Sequence, residues 1–187
     1  MALQPVLHTS RLTLRPYLPV DAQRVQQLAG AREISDTTLH IPHPYPDGAA
    51  EAWIASHPSV WDAGTGVNYA ITDRVSGALY GSVALTISRQ HERAELGYWI
   101  AVPFWNCGYC TEAARELVAM AFGSLHLHRV EARHLHRNPA SGRVMAKLGM
   151  RLEGVHRESV KKWNRYEDLA IHAMLAREWM VMKEQSR

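Results

Sequence analysis

From Arg11 to Arg15 the chain reads Arg-Leu-Thr-Leu-Arg, alternating polar and apolar positions with the two-residue period of a half-buried strand. The pattern changes at Asp21, a candidate N-cap. Val25 and Leu28 then mark the apolar side of a short helix. Residues 40–48, HIPHPYPDG, carry prolines at alternate positions and predict an extended loop. Helical spacing runs from Ala49 to Trp61, through Ala52 and Trp53. Two strands follow, Asn68–Thr72 and Leu79–Ser88, joined by the turn Asp73-Arg74-Val75-Ser76-Gly77. Another strand, Ala94–Val102, ends at Pro103.

The most regular helical pattern comes next. Positions 113, 114, 117, 118, 121, 122 and 125 are apolar and keep a 3.6-residue period. Arg129–Leu135 predicts a strand. Asn138-Pro139 opens a helix with proline at its first position, Gly149 closes it, and Val144, Met145 and Leu148 form its buried side. Segments 153–162 and 167–175 predict two strands able to pair as a long hairpin. The order β-α-α-β-β-β-α-β-α-β-β is that of an α/β domain with a mixed sheet, one domain over residues 1–187.

Composition narrows the partners. With 187 residues, 47% of them hydrophobic and 21% charged, the chain can bury a substantial core. The net charge of +3 is spread along the sequence, so no nucleic-acid-binding tail is indicated, while a pocket for a phosphate-rich ligand would suit the surplus. The N-terminal MALQPVLHTSRLTLRP lacks the apolar core of a signal peptide, and no apolar run reaches the roughly 18 residues of a membrane span. Two cysteines three positions apart cannot build a disulfide framework. A soluble, cytoplasmic protein is the expectation.

Those two cysteines raise a chemical question. Cys107-Gly108-Tyr109-Cys110 has the spacing of a dithiol redox site or half a zinc site. A zinc site needs two further ligands. The histidines at 126, 128, 134 and 136 alternate along strands, and no second cysteine pair exists. The flanks favour another use. The stretch 105–111 lies between a strand and an amphipathic helix, where successive backbone N–H groups form an anion site and Gly108 lets a phosphate approach the main chain.

Longer motifs carry a resemblance. The run W-x-x-G-Y-x-T-E-A after LGYWI, followed by N-x-x-S-x-x-V-x-x-K-L-G-M-x-x-E-G, resembles the GNAT superfamily of acetyl-coenzyme A-dependent N-acetyltransferases. TSRLTLRPYLPVDA, IPHPYPDGAAEAWI and YEDLAIHAMLAREW resemble the branch that contains the ribosomal-protein-alanine N-acetyltransferases. The resemblance implies a mixed, mostly antiparallel sheet of six to seven strands with about four helices, splayed at its central parallel strands. It implies acetyl-CoA as cosubstrate, no metal, and an amine acceptor, with a protein N-terminus first and a small-molecule amine as the alternative. Neither nucleic acid nor a membrane is an expected partner, and a homodimer is left open. Two departures stand in the glycine loop: Cys110 where a small Gly or Ala is usual, and Cys107 where relatives often carry a basic residue.

The same resemblance assigns residues. The loop Trp105, Asn106, Cys107, Gly108, Tyr109, Cys110 and Thr111 would hold the pyrophosphate. The main chain of Trp99, Ile100, Ala101 and Val102 would pair with the pantetheine arm, with an N–H of Ile100 or Ala101 polarising the acetyl carbonyl. Asn138 and Ser141 would meet the arm and the sulfur, Ser141 as proton donor; their plain readings are an N-cap and a first-turn hydroxyl. Glu95 is the candidate base, and its plain reading is a partner of a nearby arginine. Tyr45, Trp53 and Trp61 would wall the acceptor side, although core packing explains Trp53 as well. His172 joins them as a substrate candidate or is an inward-facing histidine.

Overall fold

Leu12 and Leu14 are fully buried while Thr13 and Arg15 turn to the other face, so the opening alternation forms a strand as the pattern demands. The computed structural model describes residues 3–185. Its strands are β1 (Leu7–His8), β2 (Leu12–Arg15), β3 (Gly66–Asp73), β4 (Leu79–Ser88), β5 (Arg93–Ile100), β6 (Arg129–Leu135), β7 (Arg151–Lys162) and β8 (Arg165–Leu175). Its helices are α1 (Ala22–Ala29), α2 (Arg32–Thr37), α3 (Ala49–Asp62), α4 (Tyr109–Phe122), α5 (Pro139–Lys147) and α6 (Ala176–Gln185).

All eight strands form one sheet in the order β1-β2-β3-β4-β5-β6-β8-β7. Neighbours pair antiparallel except β5 and β6, which run parallel. Their register covers only Arg93↔Arg129, Ala94↔Val130 and Glu95↔Glu131. Beyond Glu95 the two strands part, opening the sheet at its centre as the resemblance implied.

Helices cover both faces. The apolar stripe of α4, including Ala113, Leu117 and Val118, packs with Met145 and Leu148 of α5 against Leu12, Leu14, Val83 and Leu85. Val25 and Leu28 of α1 and Ile54 of α3 cover the opposite face beside Tyr17 and Trp99. Leu117 is wholly buried, and truncating such a leucine to alanine costs about 2–5 kcal/mol.

Several elements differ from the sequence reading. The sheet has eight strands, because the two-residue β1 pairs with β2 through Leu7↔Leu14 and His8↔Thr13, too short a stretch to show alternation. The helices number six among the described residues: α2 spans fewer than two full turns, and α6 buries none of its side chains. Asp21 stands at the N-cap position of α1, as expected, but its side chain makes no capping bond to the helix. It ends a 3₁₀ turn, Pro19–Asp21, where its carboxylate accepts from the Leu18 N–H at 2.8 Å and from Arg15 at 2.7 and 2.8 Å. β5 stops at Ile100, because Val102–Phe104 curls into a 3₁₀ turn before the loop. α4 ends at Phe122, leaving Leu125 in the following turn. Among the described residues no helix is long and apolar enough to cross a membrane.

Candidate functional site

The loop after β5 enters α4 through two residues of positive φ, Asn106 at 61° and Gly108 at 82°. Gly108 is the N-cap, and the first helical bond runs from the Glu112 N–H to the Gly108 carbonyl at 3.1 Å. The N–H groups of Tyr109, Cys110 and Thr111 therefore precede the helical ladder at the positive end of the helix dipole, where an anion is favoured. Thr111 and Gly108 line a cleft of about 480 Å³ with Thr9, Ser10, Arg115 and Lys147. Trp105 anchors the loop by donating its indole N–H to the Ile100 carbonyl at 2.6 Å.

Both cysteines are free. Cys107 is exposed, whereas the Cys110 thiol turns inward and burial pushes its pKa up to about 12. A helix start can lower a thiol pKa; desolvation overrides that effect at Cys110. A basic side chain reaches the loop from the turn between β1 and β2. Arg11 donates to the Cys107 carbonyl at 3.0 Å, lies 4.5 Å over the Tyr109 ring, and is held by Glu112 at 2.6 Å.

The gap between β5 and β6 lies beside this loop. On its β5 wall, hydrogen-bonded positions alternate. The Ala101 N–H donates to the Tyr80 carbonyl at 2.8 Å, which corrects its expected role as an oxyanion donor: it faces β4. Ile100, one position earlier, pairs with Gly81 out of that phase, so its N–H turns toward the gap. Trp99 is buried on the α1–α3 face with Ala101, and half-buried Val102 packs against the same cluster.

Asn138 caps α5. Its Oδ1 accepts from the Ser141 N–H at 3.3 Å, and its Nδ2 donates to the Thr37 carbonyl at 3.2 Å. The Ser141 hydroxyl lies 3.0 Å from the Tyr98 hydroxyl, which is also 3.1 Å from the Ser141 carbonyl. The segment around Thr37 is tied down further by Arg137, which bonds the Asp36 carbonyl at 2.8 Å and Glu167 at 2.9 Å. The buried Lys162 ammonium adds bonds to the Leu39 and Ile41 carbonyls at 3.3 Å each. Arg11, Tyr98 and this strap escaped the sequence reading. Each acts on a partner far along the chain, and no local pattern marks it.

Glu95 stands at the last paired position before the strands part, half exposed, with Arg133 at 3.6 Å. The plain reading of Glu95, a partner of a nearby arginine, is therefore present in the structure. Beside it the buried Glu131 is gripped by Arg129 and Arg133 at 3.1 Å each, and these arginines hold its carboxyl below the usual range against the opposing effect of burial.

Among the acceptor-side candidates, Tyr45 and Trp53 both border the α1–α3 cluster, where Trp53 lies 5.0 Å from Tyr17 and 4.5 Å from His57. Trp61 does not join them; it packs at the far end of α3 against the α4 cluster. His172 does not join them either. It pairs with Ala132 in β6, and its ring lies 5.4 Å from that of His134, tilted by 36°, beneath α5 on the opposite face of the sheet. Among the described residues, no group of three or more His, Cys, Asp or Glu side chains is placed to hold a metal ion.

Comparison with known proteins gives the same picture. The sequence profile described as "Acetyltransferase (GNAT) domain" matches residues 11–151. The chain is 28% identical to "Uncharacterized N-acetyltransferase YoaA" of Bacillus subtilis (strain 168) over 155 residues, covering 82% of this chain and 87% of the relative. It is 35% identical to "Putative ribosomal N-acetyltransferase YdaF" of the same organism over 104 residues, covering 55% and 57% of the two chains. Among solved structures, "Microcin C7 self immunity acetyltransferase MccE in complex with Acetyl-CoA and AMP" superposes with a TM-score of 0.80 at 17% identity, covering 89% of this chain and 93% of the other.

Proposed function

Since the chain belongs to the GNAT acetyltransferase family and is an acetyl-CoA-dependent N-acetyltransferase, we propose that its acceptor is the α-amine of a protein N-terminus, taken up at the parting of β5 and β6. The observation that carries the placing of the reaction is the three-residue register of the parallel pair. It leaves one gap at the end of β5 that leads to the α4 N-terminus, with the Ile100 N–H turned away from β4 and Ser141 in contact with Tyr98 of β5. A pyrophosphate suits the free N–H groups of 109–111 beside Arg11, and an extended arm suits the open edge of β5. The partial likeness to YdaF supports a protein acceptor.

An α-amine has a solution pKa near 8, so a fraction is neutral at working pH and modest base help suffices. In the proposed reaction Glu95, directly or through water, removes the ammonium proton. The neutral nitrogen attacks the thioester carbonyl while the Ile100 N–H stabilises the oxyanion. The C–N bond forms, the C–S bond breaks, and the departing sulfur accepts a hydrogen bond from Ser141. Tyr45 and Trp53 border the acceptor approach.

Thiol release from acetyl-CoA tests the acceptor. Peptides with free N-termini, the same peptides with blocked N-termini, polyamines and aminoglycosides serve as the panel. Turnover with free and not with blocked N-termini is expected. Turnover confined to the polyamines or aminoglycosides overturns the protein-acceptor reading in favour of a small-molecule amine.

A further inference from the structure

Four glycines lie within strands: Gly66, Gly81, Gly97 and Gly154. Three have a reason in the fold. A Cβ added at Gly66 would lie 2.8 Å from the Leu85 carbonyl oxygen, and one at Gly81 would collide with the Trp99 carbonyl oxygen. Gly154 stands at a register shift of the edge strand β7, where glycine eases the irregularity. Gly97 has none of these reasons. It sits inside β5 in unbroken register with Ala84 of β4, and it lacks the positive φ that favours glycine. A Cβ there would meet no atom within 4 Å beyond its chain neighbours. Glycine in a strand interior gives up packing and adds backbone entropy to the unfolded chain. Where the fold does not require it, it marks a site that a ligand approaches closely.

The open space is placed for the reaction. Gly97 shares a face of β5 with Glu95 and Trp99, about 7 Å from each along the strand. Trp99 is covered by the α1–α3 layer, whereas Gly97 and Glu95 are exposed, so that layer ends between 97 and 99. On the other side the register with β6 stops at Glu95↔Glu131, so no strand closes over the patch. An amine that gives its proton to Glu95 and attacks a carbonyl held by the Ile100 N–H must cross the stretch of β5 between them. Leu96 and Tyr98 of that stretch face the α4 cluster, and Trp99 is covered, which leaves Gly97 as the open floor. We propose that Gly97 is a specificity-determining residue, whose missing side chain makes room for the α-carbon of the acceptor as its amine meets the thioester. The inference rests on the placing of the reaction in the gap given above and holds for any amine that reaches Glu95 from this face. A methyl group on the floor lifts the acceptor by about 1 Å or more, and a misplacement of that size can cost on the order of a hundredfold in rate.

The test uses Gly97→Ala and the amine that is turned over fastest among the free-N-terminus peptides, polyamines and aminoglycosides. The kcat/KM for that amine should fall at least about tenfold, while the affinity for acetyl-CoA, by calorimetry, stays within about twofold. The melting temperature should hold or rise, because alanine fits the backbone there and restricts the unfolded chain. With peptides the loss should be smaller for a first residue of glycine than for leucine, whose side chain needs the same room. An unchanged kcat/KM overturns the proposal. So does a fall in acetyl-CoA affinity that matches the loss, which would give the space to the coenzyme. A lowered melting temperature would mean that the fold needs the glycine, and a change of molecular mass by light scattering would give the space to a second copy of the chain; each overturns it. Turnover confined to polyamines or aminoglycosides removes the protein-acceptor reading and leaves this inference to be decided with that amine. Absence of turnover with every amine removes the placing of the reaction and this inference with it.

Discussion

Gly108 combines a backbone angle of +82° with a position where an added Cβ would lie 3.4 Å from the Arg11 guanidinium. A β-branched side chain there meets both backbone strain and a contact that Arg11 must yield. Gly108→Val should weaken coenzyme A binding at least tenfold, about 1.4 kcal/mol, by isothermal calorimetry; unchanged affinity would remove the loop from the binding site. The cysteines beside it should separate by chemistry. With its thiol pKa near 12, Cys110 holds almost no thiolate at pH 8. Iodoacetamide should therefore alkylate the exposed Cys107 and spare Cys110, as read by peptide mass; equal labelling would contradict the buried geometry. Gly108 and Asn138 were legible in the sequence because a left-handed turn and an N-cap are local chemistry. Arg11 and Tyr98 were not: their partners lie 96 and 43 residues away, and an arginine or tyrosine on a strand carries no sign of which distant loop it will meet.

At the scale of elements, α5 is fixed in place by its N-cap residue. Asn138 caps the helix and also joins it to the end of α2 through the Thr37 carbonyl. Asn138→Ala should cost about 1–2 kcal/mol in urea unfolding, an ordinary cap plus part of the second bond. A loss below a few tenths would mean that solvent replaces both bonds without penalty. The elements most legible in the sequence were those whose buried face repeats over several turns or pairs: α4, β4, β5 and the β7–β8 hairpin. β1, α2 and α6 were missed because their order comes from tertiary contact. β1 exists only as a partner of β2, and α2 is held by Arg137, Asn138 and Lys162 reaching across from other elements. The splay itself came from family resemblance; the alternation along β5 says which residues share a face, not where a neighbouring strand departs.

For the whole molecule, stability should fall in mild acid. His57 is buried between Tyr17 and Trp53 with neither ring nitrogen hydrogen-bonded, and burial lowers its pKa to about 4. The unfolded chain binds a proton there near pH 6.5 while the folded chain does not. The stability of the neutral ring is thus fully present above pH 6.5 and is lost progressively down to pH 4, by roughly 3 kcal/mol in total. His134 and His172, whose pKa values burial also lowers, add in the same direction. His57→Phe should flatten the decline of melting temperature between pH 6.5 and 4; an unaltered slope would assign the acid sensitivity elsewhere. The short parallel register has a further consequence for cooperativity. The antiparallel ladders from β1 to β5 and from β6 to β8 are continuous, and only three residue pairs of sheet join them. The sheet is therefore two ladders meeting at a weak seam, even though one core spans both, and local opening of the sheet should start there. An arm lying in the gap would act as the missing length of strand, so occupancy should slow amide hydrogen exchange on both sides of the seam at once.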